Sequence, residues 1–182
     1  MSRLRLVLAG ALGAFILVAA PAGAKLAPGD NGRGAVFTDA ALERELTLEI
    51  NVFRARRGLR PLAVNPSLDM AAESHSLDMA RTGYFAHESS NGSGFAARVR
   101  RFYTTTGYRK WRAGETLLWA SPDVDAKQAL TMWLKSPEHL HVLLTPAWRE
   151  IGLSAVHTPS GPRMFESLEV TVVTADFGAR AR

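Results

Sequence analysis

A histidine inside an apolar segment is the first residue whose type and position could support chemistry. The stretch Trp133–Gly152 reads WLKSPEHLHVLLTPAWREIG. In a helix that begins after Ser136, His139 shares a face with Val142 and Leu143, three and four residues further on. An imidazole on an inward-facing apolar stripe must find a polar partner or lie in a cleft. His141, two residues later, would point away, which predicts a surface or supporting position.

Two other side chains are candidates for the same chemistry. His87 follows a predicted helix end on a loop held by Tyr84 and Phe85, and loops on rigid supports often carry function, although a surface histidine is the alternative. Glu115 precedes a mainly apolar run, which predicts that it is buried. Imidazole and carboxylate groups act as acid–base groups or as zinc ligands. The chain lacks the paired histidines of the common zinc-hydrolase helix, so spacing alone does not justify a metal.

Other candidate residues fit structural roles better. His75 lies on the apolar face of a predicted helix, which favours a hydrogen-bonded core histidine. The serines near His87 lie in a flexible loop rather than on a nucleophile elbow, so nucleophilic catalysis is disfavoured. These serines are Ser89, Ser90 and Ser93.

Length and composition indicate one soluble domain. The chain has 182 residues, of which 47% are hydrophobic and 21% charged, with a formal net charge of +5. No dense basic run carries this charge, and we interpret the arginine clusters as mostly solvated faces, without nucleic-acid binding. The clusters are Arg54, Arg56, Arg57 and Arg60 at the end of one helix, and Arg98, Arg100 and Arg101 on another.

The N-terminus has the pattern of a secretory signal peptide. Arg3 and Arg5 precede an apolar run, and Ala22-Gly23-Ala24 supplies small residues for cleavage after Ala24. An uncleaved membrane anchor is the alternative. We predict a signal peptide over 1–24, a flexible lead-in over 25–37, and a domain over 38–182 that is periplasmic or extracellular, monomeric, and without a membrane span after cleavage. The chain contains no cysteine, so it has no disulfides.

Helices come first along the chain and strands come last. Helices are predicted from Thr38 or Asp39 to Gly58, from Asn65 to Gly83, from Phe95 to about Tyr103, and from Ser121-Pro122 to Ser136. Strands are predicted over 150–157 and 164–177. Because strands do not alternate with helices, the pattern predicts an α+β fold with a small antiparallel sheet covered by helices.

Several of these segments together resemble the CAP superfamily, also called SCP-like: cysteine-rich secretory proteins, antigen 5 and pathogenesis-related proteins, in its bacterial branch. The resemblance covers about residues 46–178. It is carried by NVFRARRGLRPL, NPSLDMAAESHSLDMARTGYFAH, GETL, WLKSPEHLHVLL, PAWREIG and TADFG, in this order.

The resemblance implies an α-β-α sandwich with a cleft where two histidines and acidic residues converge. The family positions fall on His87, Glu115 and His139. A second family glutamate has no equivalent at the end of the preceding helix, and Glu138 is only a weak substitute because neighbours on a helix point about 100° apart. GETL also replaces the usual GENL. Zinc or another divalent cation held by His87, Glu115 and His139 is one interpretation, and a metal-free polar cluster is the other.

Two functions remain open at this point. The favoured one is an exported binding module for a small apolar ligand, lipid or envelope component, because no nucleophile and no complete ligand set is visible. The alternative is a metal- or His/Glu-dependent hydrolase acting on peptide or cell-envelope material. A purely structural envelope domain is a third hypothesis.

Overall fold

The computed structural model describes residues 35–182, so the predicted signal peptide and residues 25–34 of the predicted lead-in lie outside the described residues. Its elements follow in chain order: β1 (Phe37–Thr38), α1 (Ala40–Arg56), β2 (Ala63–Val64), α2 (Pro66–Thr82), α3 (Phe95–Phe102), β3 (Lys110–Ala120), α4 (Ala126–Leu134), α5 (Pro137–Leu143), β4 (Glu150–Thr158), a short 3₁₀ helix (Arg163–Phe165) and β5 (Val170–Ala181).

Helices cover both faces of one sheet. The strand order is β1-β4-β5-β3, with β2 also paired to β4. The β2 pairing is parallel and the other pairings are antiparallel. Because side chains alternate between the faces of a strand, one face packs against α1, α4 and α5, and the other packs against α2 and α3. The predicted α+β sandwich is confirmed.

Most predicted helix starts are confirmed by their capping hydrogen bonds. The Asp39 carboxylate accepts the backbone N–H of Leu42 at 3.0 Å. The Asn65 side chain accepts the N–H of Ser67 at 2.9 Å, with Pro66 as the first helical residue. Ser136 caps α5 in the same way, so the helix break predicted there separates α4 from α5.

Two predicted elements begin at the wrong residue, and one strand was not predicted. Helix α4 begins at Ala126 rather than at Ser121-Pro122, because Asp125 forms a capping box with Gln128. The last strand begins at Val170 rather than Met164, after the short 3₁₀ helix. Strand β3 was predicted only as a buried segment. Its residues from Ala113 to Leu118 are buried on both faces, so the polar–apolar alternation that marks a half-exposed strand is absent.

One glycine sets the distance between α2 and the sheet. A Cβ placed on Gly152 in β4 would lie 2.0 Å from the backbone carbon of Leu68 and 2.2 Å from the backbone nitrogen of Asp69. No side chain fits in that gap, so glycine allows the start of α2 to rest directly on β4. The Asp69 carboxylate then accepts the N–H of Leu153 at 3.0 Å. This contact places α2, and the loop that follows it, against the centre of the sheet.

The interpretation of the two arginine clusters as solvated faces was wrong for two members. Arg54 is fully buried, and its Nη1 donates to the carbonyl oxygens of Leu143 at 2.6 Å and Thr145 at 3.2 Å. It therefore satisfies carbonyls at the end of α5. Arg98 is only 6% exposed and belongs to the site described below.

Candidate functional site

Glu115 lies at the centre of the site, in the middle of β3. It faces α2 and α3, directly opposite Asp176 on β5, and it is 4% exposed. Its Oε1 accepts a hydrogen bond from His87 Nδ1 at 2.7 Å, and its Oε2 pairs with the guanidinium of Arg98. Both carboxylate oxygens are therefore engaged, one by an imidazole and one by a buried cation.

These partners keep Glu115 ionised. Burial by itself raises the pKa of a carboxyl group, because the charged form loses its hydration. The hydrogen bond from His87 and the positive charge of Arg98 outweigh that effect and lower the pKa of Glu115 below its usual value. The site thus contains a buried negative charge that depends on two neighbours from other elements.

The loop that carries His87 is fixed to the helices on either side of it. His75 in α2 donates from Nε2 to the carbonyl of Ala86 at 2.8 Å, and Arg98 in α3 donates from Nη1 to the carbonyl of His87 at 2.9 Å. His75 is fully buried, as a hydrogen-bonded core histidine should be. Burial lowers the pKa of His75 to about 4, so this ring is neutral at physiological pH. Its role here is to hold the loop.

A second attachment holds the far side of the same loop. The Asp78 carboxylate accepts hydrogen bonds from the Tyr84 hydroxyl at 2.6 Å, the Ser90 N–H at 2.9 Å and the Ser90 hydroxyl at 2.7 Å. Arg98 also donates to the Ser89 hydroxyl at 3.1 Å. Ser89 and Ser90 therefore have structural partners.

His87 presents its second ring nitrogen away from Glu115. The carboxylate can only accept, so Nδ1 carries the shared proton. In a neutral ring, Nε2 then has a free lone pair. Among the described residues, Nε2 has no hydrogen-bond partner, and the side chain is 18% exposed. Glu115 thus fixes the orientation of the His87 ring through Nδ1, and Nε2 is left available to another partner.

His139 lies on α5, close enough for the charge of His87 to act on it. Its pKa is lowered, first by burial and then by the positive charge that His87 carries when protonated, while Glu138 opposes both effects. The ring nitrogens have no hydrogen-bond partner in residues 35–182. His139 is therefore a half-buried imidazole with unused donor and acceptor capacity, within range of the charge of His87. We call His87, Glu115 and His139 the His–Glu cluster.

The other sequence candidates lie apart from this cluster. Glu138 is exposed, and its Oε2 accepts a hydrogen bond from the Ser136 hydroxyl at 2.8 Å. His141 is exposed. It belongs to the wall of a surface hollow of about 480 Å³ that also includes Leu140 and Leu144. That hollow does not include the His–Glu cluster.

The arrangement of donors does not fit a three-ligand metal site. Within residues 35–182, no group of three or more His, Cys, Asp or Glu side chains is placed to hold a metal ion. Glu115 lies on the Nδ1 side of His87, away from a metal bound at Nε2, which leaves His87 Nε2 and His139 as available donors. Catalytic zinc sites use three protein ligands. The zinc interpretation stays a prediction, and the described geometry favours the metal-free cluster.

Two residues of the site were missed by sequence reasoning. Arg98 was grouped with solvated arginines, although its position between Phe95 and Val99 already placed it near the apolar stripe of α3. Asp176 interrupts the strand sequence VTVVTADF, and a lone carboxylate inside a buried strand is unusual. Asp176 is fully buried, and neither carboxylate oxygen has a hydrogen-bond partner among the described residues.

Asp176 should carry a proton in the folded protein. Burial, followed by the negative charge of Glu115, raises the pKa of Asp176 well above its usual value. Two carboxyl groups opposite each other on adjacent strands have Cβ atoms about 5 Å apart, so both do not ionise easily. Among the described residues, Glu115 has a hydrogen-bond donor and a cation as partners and Asp176 has neither, which assigns the charge to Glu115 and the proton to Asp176.

The pH dependence of stability tests this assignment. A carboxyl group whose pKa is higher in the folded than in the unfolded protein stabilises the fold below the unfolded-state pKa, which is about 4. This stabilisation is lost as the pH rises towards the folded-state pKa. Asparagine does not titrate, so Asp176→Asn has no such loss. Above about pH 4, its free energy of unfolding should therefore rise relative to that of the wild type by up to about 1.4 kcal/mol per pH unit. Urea unfolding of both proteins across this range measures the difference. Parallel curves would show that Asp176 is ionised.

The fold and this cluster together define an α-β-α sandwich with a buried glutamate that orients a histidine. The family profile described as the cysteine-rich secretory protein family, CAP, matches residues 48–177. This chain therefore belongs to the CAP family, although it contains no cysteine.

Similar proteins come from several bacteria. The chain is 26% identical over 121 residues to the uncharacterized protein YkwD of Bacillus subtilis, covering 66% of this chain and 45% of YkwD. An extracellular protein containing a SCP domain from Bacillus anthracis aligns with a TM-score of 0.58 and 24% identity, over 78% of this chain and 41% of that one. The chain thus spans less than half the length of these two relatives.

A third protein is similar over almost its whole length. An outer surface protein of Borrelia burgdorferi aligns with a TM-score of 0.61 and 19% identity, over 81% of this chain and 98% of that protein. At this level of identity the similarity establishes the shared fold.

Proposed function

We propose that this protein is an exported binding module, in which His87 and His139 contact the polar group of a small apolar ligand, a lipid or another envelope component. One observation carries the proposal. Glu115 holds His87 through Nδ1, which leaves Nε2 partly accessible and without a partner among the described residues, and the half-buried His139, within range of the charge of His87, has no partner there either. Polar atoms in such positions are normally satisfied, so an external ligand is the partner they suit.

Export is supported by two independent features. The N-terminal pattern of a basic region, an apolar run and small residues predicts a secretory signal. Two of the structurally similar proteins are named as extracellular or outer-surface proteins.

No helix within residues 35–182 is long and apolar enough to cross a membrane.

A ligand titration tests the module. The probe is a fluorescent long-chain fatty acid, which combines an apolar chain with one polar group. We expect saturable binding by the wild type, and at least about tenfold weaker binding by His87→Ala and by His139→Ala, the loss of one hydrogen bond to a charged group being worth about 1.5–3 kcal/mol. His141→Ala is the matched control, because it removes an exposed imidazole from the same helix. Equal affinity in all four proteins would rule out the cluster as the binding site.

A hydrolase is the second candidate, and one feature favours it. A carboxylate that orients an imidazole, with the other ring nitrogen free, is the arrangement of a general base. The described residues supply no nucleophile beside it, so a water molecule would have to be activated. Release of product from peptide or cell-envelope material by substoichiometric protein, abolished in Glu115→Gln, would favour hydrolysis over binding.

Zinc calorimetry decides the remaining metal prediction. A site shared by His87, Glu115 and His139 predicts binding at about pH 7.5 that weakens at about pH 5.5, because imidazole must be deprotonated to bind metal. It also predicts a sharp loss in either histidine-to-alanine variant. The control is His141→Ala. His157 is unsuitable as a control, because it bonds Thr171 at 3.0 Å and pairs with Glu169 at 3.2 Å. Wild-type binding no tighter than that of His87→Ala would establish the cluster as metal-free.

A further inference from the structure

Four segments that are distant in sequence meet at one end of the sheet. We call this region the basic end and define it as residues 54–60, 100–112, 149–150 and 178–182. The N–H of Ala63, just after the first segment, donates to the carbonyl of Arg149 at 3.0 Å, and the N–H of Arg149 donates to Gly178 at 2.9 Å. The N–H of Arg109 donates to Ala181 at 2.9 Å. The end of α1, the start of β4, the end of β5 and the start of β3 are therefore neighbours.

The basic end concentrates the positive charge of the protein. Its four segments contain four, five, one and two Lys or Arg residues, so twelve of the 22 in the chain, against a single acidic residue, Glu150. Ten of the twelve side chains are exposed. These are Arg56, Arg57, Arg60, Arg100, Arg101, Arg109, Lys110, Arg112, Arg149 and Arg182. The formal net charge of the whole chain is only +5, so the charge is unevenly placed.

The opposite end of the sheet has the opposite sign. There, residues 39–45, 121–127 and 158–170 surround the end of β4, the end of β3 and the start of β5. They contain seven carboxylates and three cations. Such a separation of charge orients a molecule in an electric field, because the basic end is attracted to an anionic surface and the other end is repelled from it.

Aromatic rings hold several of the arginines at the basic end in fixed positions. The guanidinium of Arg57 lies 4.9 Å from the ring centre of Phe53, and that of Arg101 lies 5.8 Å from the ring centre of Phe102. Arg100 lies 5.4 Å from the ring centre of Trp111. Stacked guanidiniums lose little further freedom on binding and match phosphate oxygens in pairs. A phosphate-bearing partner therefore suits this end better than a weakly charged one.

The shape and polarity of the basic end indicate a surface rather than a strand or a pocket. The cations belong to both helical layers and to the sheet between them, so they spread over the whole end of the sandwich. None of the large hydrophobic side chains that residues 35–182 expose lies in the four segments. Contact should therefore be electrostatic and reversible by salt, without insertion of side chains.

We propose that the basic end docks this protein on an anionic phospholipid bilayer. The charge on the end matches the headgroup phosphates, and the acidic opposite end points the molecule away from the bilayer. This surface is separate from the His–Glu cluster and does not depend on the function proposed for that cluster.

Vesicle flotation with the purified protein tests the docking surface. The probe is a vesicle of phosphatidylglycerol mixed with phosphatidylcholine, compared with pure phosphatidylcholine. The test variant replaces Arg56, Arg60, Lys110 and Arg112 with glutamine, because these exposed side chains have no ion pair in the described structure. The matched control replaces Arg44, Arg81, Lys127 and Lys135 with glutamine, which removes the same net charge from outside the basic end.

The wild type should float with the anionic vesicles at low salt and remain in the unbound fraction at high salt. Each basic side chain near such a surface contributes about 1 kcal/mol, so the test variant should lose about 100-fold or more in partitioning, while the control changes less than about threefold. An equal loss in test variant and control would overturn the proposal. So would tight binding to soluble polyphosphate without any vesicle binding, which would identify a free polyanion as the partner.

Discussion

Replacing Trp133 with alanine is expected to lower the free energy of unfolding by about 3–5 kcal/mol, the usual cost of deleting a buried indole. The ring is 1% exposed on the inner face of α4. Its Nε1 donates to the carbonyl of Leu117 at 3.0 Å. This bond joins the inner face of α4 to the backbone of β3. The substitution therefore opens a cavity and removes a buried hydrogen bond.

Urea unfolding of the wild type and the variant measures this effect. Trp133→Phe retains most of the volume and loses only the hydrogen bond, so it should cost clearly less than alanine. Leu48→Ala, at an exposed position on α1, is the surface control and should change stability by less than about 0.5 kcal/mol. A cost below about 1 kcal/mol for Trp133→Ala would mean that this ring does not support the core.

Replacing Glu115 with alanine is expected to destabilise the fold by a similar amount, about 3–5 kcal/mol, for an electrostatic reason. Arg98 would remain buried without its partner, and His87 would lose the acceptor that orients it. Glu115→Gln keeps the shape but supplies only one acceptor atom, so it should be intermediate. Its amide N–H₂ would face either His87 Nδ1–H or Arg98, and both of these are donors.

The exposed ion pair of His157 and Glu169 serves as a comparison, because it shows whether the destabilisation in Glu115→Ala comes from burial or from the loss of any paired charge. Glu169→Ala removes the partner of His157 at a position where the carboxylate is 51% exposed, and should cost less than about 1 kcal/mol. In a double-mutant cycle, Arg98→Met should recover much of the stability lost in Glu115→Ala, because the unpaired charge is then gone. If the two single losses simply add, Glu115 and Arg98 act independently and the buried pair is not what holds the loop.

The sequence by itself determined most of the helices and the general architecture. Asp39, Asn65 with Pro66, and Ser136 with Pro137 mark helix starts locally, because a cap needs only a side chain and the backbone N–H groups two or three residues ahead. The apolar spacing of Leu42, Leu46 and Ile50 likewise needs no distant partner to be recognised. The order of helices before strands then led to a sheet covered by helices, and the resemblance of six segments led to the family.

Only the tertiary structure decided how the charged residues are used. Arg98 and the other arginines of its helix look alike in sequence, yet Arg98 is buried because Glu115, seventeen residues away on another element, lies opposite it. Asp176 is set against Glu115 by the register of β3 and β5, and a register is a long-range pairing that no local pattern encodes. The basic end has the same origin. Its cations lie on four separate segments, and only the meeting of strand ends and helix ends places them on one surface.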